Sequence, residues 1–189
     1  LIPRADTETV VETALTVLKG IKNPTVFDLC AGSGCIGIAV AKHSDAVVKF
    51  FEKSAEALYF LTKNVKATGI SGEIINADVL SCPDQSLYGL ADVIVSNPPY
   101  IRSDVVPTLS KEVGFEPKMA LDGGEDGLIF YRFIAKHWKK MLKPDGYLVF
   151  EIGFDQAEEV SHIMQDEGFF EVTVKKDLCG NNRVVYGKK

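Results

Sequence analysis

The run Ala91-Asp92-Val93-Ile94-Val95-Ser96, ending in Asn97-Pro98-Pro99-Tyr100, constrains this chain more than any other stretch. A short apolar segment without strict alternation reads as a strand buried on both faces, the situation of a parallel sheet covered by helices. Two successive prolines contribute no N–H and fix φ, and the residue before a proline is pushed out of the helical region. The strand therefore stops here, with Asn97 extended on a stiff turn. That turn lies at the carboxyl end of a strand, where open α/β sheets bind their ligands. The Asn97 amide oxygen and the Pro98 carbonyl, which no ladder need occupy, are two acceptors for both hydrogens of a planar NH2 group, and Tyr100 adds a flat face. Such an NH2 is a weak nucleophile with a delocalised lone pair, so holding it against an electrophile is the rate advantage a site of this kind offers.

Strand and helix patterns alternate on either side of the turn. A helix capped by Asp6 or Thr7 carries an apolar stripe through Val10, Val11, Ala14, Leu15 and Leu18 and ends at Gly20. Residues 25–29, 47–51, 73–76 and 147–152 read as further strands, and 170–175 with 183–186 as an antiparallel hairpin turning through Gly180-Asn181-Asn182. Helices are expected over 35–42, over 55–68 between a Ser54 cap and Gly69, over 127–142, and over 156–167. The third of these carries Phe130, Phe133, Ile134, Trp138 and Met141 on its apolar face. Pro144-Asp145-Gly146 reads as a turn, and 101–126 as a long irregular loop of the kind that usually carries function. The order predicts a doubly wound, mostly parallel α/β sheet with one antiparallel strand at or near an edge.

One domain of this kind suits 189 residues that are 46% hydrophobic and 25% charged. No apolar run reaches membrane-spanning length and no signal-peptide pattern opens the sequence, so the expected setting is the cytoplasm, away from membranes. Cys30, Cys35, Cys82 and Cys179 lack paired ligand spacing, and His43, His137 and His162 complete no cluster; no metal is expected, and the thiols read as reduced. A net charge of −5 argues against a surface built to hold nucleic-acid phosphates. Lys136, Lys139, Lys140 and Lys143 read as a solvated helical face, and a monomer is expected. The sequence begins at Leu1 without methionine and reads as part of a longer protein.

A second site precedes the first. Gly32-Ser33-Gly34-Cys35-Ile36-Gly37 fits G-x-G-x-x-G between a strand and a helix, with Glu52 at the end of the next strand. Physically this is a tight turn that lets a ligand approach the backbone, plus a carboxylate able to accept from two vicinal ribose hydroxyls. The pattern suits NAD and S-adenosylmethionine alike. A dehydrogenase needs a hydride acceptor and a proton donor near the nicotinamide, and no His or Lys stands at a strand end, whereas an Asn-Pro-Pro-Tyr turn suits an NH2 group meeting a methyl sulfonium. Asp78, after the third strand, lies where it can accept from the exocyclic amine of adenine; its plainer role is a turn cap.

These residues carry a resemblance over essentially the whole chain. The blocks Asp28 to Ile36, Ser96 to Ile101, Phe115-Glu116-Pro117 with Ala120 to Leu128, and Asp177-Leu178 with Asn182-Arg183-Val184 resemble the bacterial release-factor glutamine methyltransferases, as does Pro3-Arg4 followed by Thr7-Glu8. Asn-Pro-Pro-Tyr alone is shared with amino-group DNA methyltransferases; the Ala-Leu-Asp-Gly-Gly block and the closing hairpin are more specific. The resemblance implies a seven-stranded, Rossmann-like class I methyltransferase fold over residues 1–189. It further implies S-adenosyl-L-methionine as donor with S-adenosyl-L-homocysteine as product, and N5-methylation of the glutamine in the Gly-Gly-Gln tip of class 1 peptide chain release factors.

Carried over by position, Cys30, Ala31, Gly32, Ser33 and Gly34 would wrap the methionine end of the cofactor, Glu52 would bind the ribose, and Asp78 and Val79 would flank the adenine. Asn97 would touch cofactor and substrate, the Pro98 carbonyl would share the glutamine amide with it on a turn stiffened by Pro99, and Tyr100 would pack on the amide plane. The methyl would move by in-line displacement with no dedicated base, the amide proton leaving afterwards. Cys30 stands where many members have glycine, Ala5 where proline is frequent, and Glu52 where aspartate is commoner. The family's amino-terminal helical domain, which helps grip the release factor, has no counterpart in this sequence. Glutamine methylation of a ribosomal protein by the same fold is the nearest alternative, ahead of adenine-N6 methylation of DNA, which wants a basic groove, and of a cofactor-binding module without catalysis, which an intact Asn97-Pro98-Pro99-Tyr100 speaks against.

Overall fold

The computed structural model describes residues 5–109 and 117–189 and resolves the alternation into regular elements. In chain order these are α1 Ala5–Val17, β1 Thr25–Leu29, α2 Cys35–Lys42, β2 Val47–Glu52, α3 Ala55–Thr68, β3 Gly72–Asn76, β4 Ala91–Ser96, α4 Ile129–His137, β5 Leu142–Glu151, α5 Ala157–Asp166, β6 Phe170–Lys176 and β7 Asn182–Lys188. The strands form one seven-stranded sheet in the order β3-β2-β1-β4-β5-β7-β6. Every pairing from β3 to β5 is parallel, and β7 runs antiparallel to both β5 and β6. The single reversed strand thus sits next to the edge, as the sequence implies.

Side chains alternate across the pleat and divide the core into two layers. Val26, Val48, Phe50, Val93, Val95 and Val149 pack with Val10, Ala14, Ile36, Val40 and Leu61 on the side of α1, α2 and α3. Phe27, Leu29, Phe51, Ile94, Leu148 and Phe150 pack with Tyr131, Ile134, Trp138, Val160 and Met164 on the side of α4 and α5. Burial of each such side chain is worth about 1.5–3 kcal/mol, so the layers, more than helix propensity, fix the architecture.

Several boundaries differ from the pattern, each for a local reason. α1 begins at Ala5, which places Thr7 inside it; its hydroxyl donates to Glu151 Oε2 at 2.9 Å and is not a helix cap. The side chain of Asp6, the pair Pro3-Arg4 and Phe115-Glu116 lie outside the described residues. The helix expected from Gly127 starts at Ile129 because Gly127 is left-handed, at φ +76°, and Asp126 Oδ1 accepts from Leu128 N; its last turn, Trp138–Met141, is 3-10. Pro144-Asp145-Gly146 is an irregularity within β5, which begins at Leu142, and not a turn before it: the pairing shifts from Ala91 with Leu142 to Val93 with Tyr147, and Asp145 takes φ +64°. Two of the lysines read as solvated are engaged, Lys139 donating to the Gly168 carbonyl at 3.0 Å and Lys143 to Asp92 at 2.7 Å. No helix of the described residues is long and apolar enough to cross a membrane.

Candidate active site

The carboxyl ends of β3, β2, β1 and β4 lie side by side, with Asn76 paired to Glu52 and Leu29 to Ser96. Cys30–Gly34, Glu52, Asp78–Val79 and Asn97 follow or end those strands, so the fold brings every residue of the two sequence-predicted sites to one edge. Beyond Leu29 the chain turns sharply: Cys30, Gly32 and Gly34 take φ of 57°, 56° and 82°. Glycine occupies that region freely and other L-residues at a cost, which gives a physical reason for the glycine common at the Cys30 position in the resembled family. The Cys30 thiol is pushed up by burial and by nearby Glu52, and stays protonated. Gly34 has no room for a Cβ against Leu61; one on Gly37 would lie 2.5 Å from Phe50 and 2.8 Å from Asp28 Oδ2, so the third glycine of the motif lets α2 seat against the sheet.

The Glu52 carboxylate is oriented by three backbone donors: Oε2 accepts from Gly32 N at 2.8 Å, and Oε1 from Lys53 N at 2.9 Å and Ser54 N at 2.7 Å. It keeps lone pairs for further donors. Ala31 N donates to the Phe51 carbonyl, and the Ser33 carbonyl accepts from Asn64 Nδ2, so the turn is tied to β2 and α3. Asp78 has both roles of an ordinary turn residue, Oδ2 pairing with Lys53 Nζ at 2.8 Å and Oδ1 capping Leu80 N at 3.0 Å. The hydrogen bond from Lys53 holds its carboxyl below the usual carboxylate range. The Val79 side chain is in the core and its carbonyl accepts from the Trp138 indole at 2.9 Å.

At the end of β4, Ser96 Oγ donates to the Leu29 carbonyl at 2.8 Å and locks the two strand ends together. Asn97 is half-buried, Pro98 and Pro99 are buried, and Tyr100 is half-buried. Among the described residues nothing bonds to the Asn97 carboxamide or to the Pro98 carbonyl. The rest of the turn is clamped. Ile101 N donates to the Leu121 carbonyl and Gly123 N to the Ile101 carbonyl, while Ser103 Oγ and Gly124 N both donate to Asp122 Oδ1. Gln156 Nε2 donates to the Tyr100 carbonyl at 3.0 Å and its Oε1 accepts from Gly153 N, so α5 reaches the turn as well. A Cβ on Gly123 would lie 2.8 Å from the Pro99 carbonyl oxygen and from Tyr100 Cα, and one on Gly127 would lie 2.5 Å from the Tyr100 carbonyl oxygen.

The sequence pattern gives no role to three of these supports. Asp28, 1% exposed, accepts from Gly37 N at 2.9 Å, and burial pushes its carboxyl up to about 8, with nearby Glu52 adding to the rise. Gln156 carries no motif. The Asp122 to Gly127 block was identifiable by resemblance, but its packing against residues 99–103 comes only from the fold. Among the described residues no group of three His, Cys, Asp or Glu side chains could hold a metal ion.

Comparison with known proteins extends the picture. A family model described as the methyltransferase small domain matches residues 7–116. A protein of Clostridium acetobutylicum named release factor glutamine methyltransferase is 42% identical over 98% of this chain and 66% of its own length. Proteins of the same name from Fusobacterium nucleatum, 40% identical over 100% of this chain and 54% of their own length, and from Clostridium botulinum, 39% identical over 100% and 68%, are similar too. The chain therefore spans between 54% and 68% of these relatives. Among solved structures, a ribosomal protein L11 methylase from Lactobacillus delbrueckii subsp. bulgaricus aligns with a TM-score of 0.69 at 18% identity, over 98% of this chain and 79% of that one. A SAM-dependent methyltransferase from Aquifex aeolicus aligns with a TM-score of 0.64 at 18% identity, over 94% and 88%. At that identity the likeness is one of fold.

Proposed function

Because this chain belongs to the release factor glutamine methyltransferase family, we propose that it is the catalytic domain of an enzyme that N5-methylates the glutamine in the Gly-Gly-Gln tip of class 1 peptide chain release factors. The observation that carries this reading is a pair of acceptors unclaimed among the described residues, the Asn97 carboxamide and the Pro98 carbonyl, one strand away from the glycine turn. Two acceptors at a fixed spacing take both hydrogens of a primary amide, and Tyr100 covers its plane. Held in that way, the amide nitrogen presents its weak lone pair in one direction, so the site contributes position and not a base.

The donor and acceptor set suits S-adenosylmethionine. Glu52, oriented by Gly32, Lys53 and Ser54, would take the ribose hydroxyls; Cys30 to Gly34 offer a backbone that a ligand can approach closely; and Asp78 and Val79 stand at the next strand end for the adenine. Bound there, the cofactor supplies an electrophilic methyl group. A cytoplasmic, monomeric enzyme of translation termination is the setting that follows, with the part of the relatives beyond this chain supplying further grip on the release factor.

The test is transfer of labelled methyl from S-adenosylmethionine to a purified release factor, beside a variant whose Gly-Gly-Gln glutamine is replaced and beside duplex DNA. Label is expected on the intact factor alone. Label on the replaced variant or on DNA would overturn the assignment.

A further inference from the structure

Immediately after the acceptor turn the surface opens into a cleft of about 650 Å3 lined by Arg102, Gly124, Glu125, Asp126, Ile129 and Arg132. Its charges cancel in pairs, with one left over. Arg102 is engaged by Asp104 through Nε at 3.1 Å and Nη2 at 2.8 Å, and Arg132 by Asp126 through Nη1 at 2.8 Å and Nη2 at 2.9 Å. Exposed Glu125 has no hydrogen bond or ion pair among the described residues. Among the described residues around the cleft, Glu125 is the one carboxylate without a hydrogen-bonded partner; it acts on Arg102 only through space, and both guanidinium groups are already bonded to other carboxylates. An anionic ligand, a nucleic-acid phosphate included, would meet repulsion from Glu125, and among the described residues lining the cleft both cations are already paired.

Position gives the cleft its purpose. Arg102 follows Ile101 directly out of the turn, and Gly124 follows Gly123, which packs on Pro99 and Tyr100, so an acceptor side chain held at Asn97 brings its flanking backbone here. A planar guanidinium has more N–H donors than one carboxylate occupies, and the spare ones suit main-chain carbonyls. Ile129, 42% exposed, offers an apolar floor for the aliphatic stem of a long cationic side chain. We propose that this cleft seats the polypeptide flanking the methylated glutamine and that Glu125 selects substrates by pairing with a lysine or arginine of that segment. The inference rests on the reading of this chain as a glutamine methyltransferase of protein substrates.

The test is steady-state methylation of intact release factor at saturating S-adenosylmethionine by the unaltered chain, Glu125→Gln and Glu125→Lys, with Glu73→Gln on the outer strand as a charge control. Because Glu125 is exposed and makes no hydrogen bond among the described residues, the variants are expected to fold, which unchanged cofactor affinity checks. Glu125→Gln should raise KM about tenfold and Glu125→Lys more, with kcat within about twofold. KM is expected to rise with salt for the unaltered chain and much less in Glu125→Gln. If both variants keep the unaltered KM and salt dependence, the cleft assignment falls and glutamine methylation stands. If the unaltered chain transfers no methyl to the factor, both fall.

Discussion

Asp28, 1% exposed at the end of β1, holds a carboxyl group that water does not reach, and its behaviour follows from that. Burial disfavours the charged form, the hydrogen bond from Gly37 N partly offsets this, and Glu52 adds repulsion, leaving the group at about 8 against an ordinary 3.8. Between those two values the folded chain keeps a proton that the unfolded chain gives up. The associated stability is therefore complete below about pH 4 and is lost as pH rises towards 8. Asp28→Asn keeps the shape and an acceptor for Gly37 N but cannot titrate. Thermal unfolding from pH 5 to 8 should show a falling Tm for the unaltered chain and a flatter profile for Asp28→Asn; parallel profiles would refute the assignment to Asp28. The same linkage makes the glycine turn sensitive to its own neighbour, since a charged Asp28 would repel the carboxylate of Glu52 that Gly32 N anchors.

At the scale of elements, the acceptor turn is only as well placed as the loop that holds it. Gly123 is one tight point of that hold, because a side chain there meets backbone atoms of Pro99 and Tyr100, which cannot rotate away. Gly123→Ala is expected to displace the turn by a fraction of an ångström to an ångström and to lower kcat on the order of 100-fold. Calorimetric titration should find cofactor affinity little changed, because Glu52 and the glycine turn belong to other strands; equal loss of binding and turnover would contradict that separation. This division also explains what the sequence discloses. Asn97-Pro98-Pro99-Tyr100 and Ser54 with Gly69 act on their own backbone, so their consequences can be read locally. The clamp of Asp122 on Ser103 and of Gln156 on Tyr100 joins segments far apart in sequence, and no periodicity records it. Pro144 and Gly146 have the composition of a turn, yet the pairing of Ala91 with Leu142 draws them into β5. The exposed Glu125 likewise gains meaning only from the cleft around it.

For the whole molecule, both core layers are built on opposite faces of one sheet, so neither can come apart and leave the other its backing. Trp138 is the only tryptophan and lies in the layer of α4 and α5, while far-UV circular dichroism reads the helices of both layers. Unfolding curves from the two signals should coincide; a separate fluorescence transition would mean that the layers melt independently. The sheet order carries one more consequence. β6 touches the rest of the sheet only through β7, which comes after it in the chain and slots in between it and β5. β6 can therefore join the sheet only once β7 is in place, whereas β1, β4 and β5, which frame the Asn97 turn, pair with one another without it. Strand pairing at the candidate edge is thus independent of whether β6 has yet been seated.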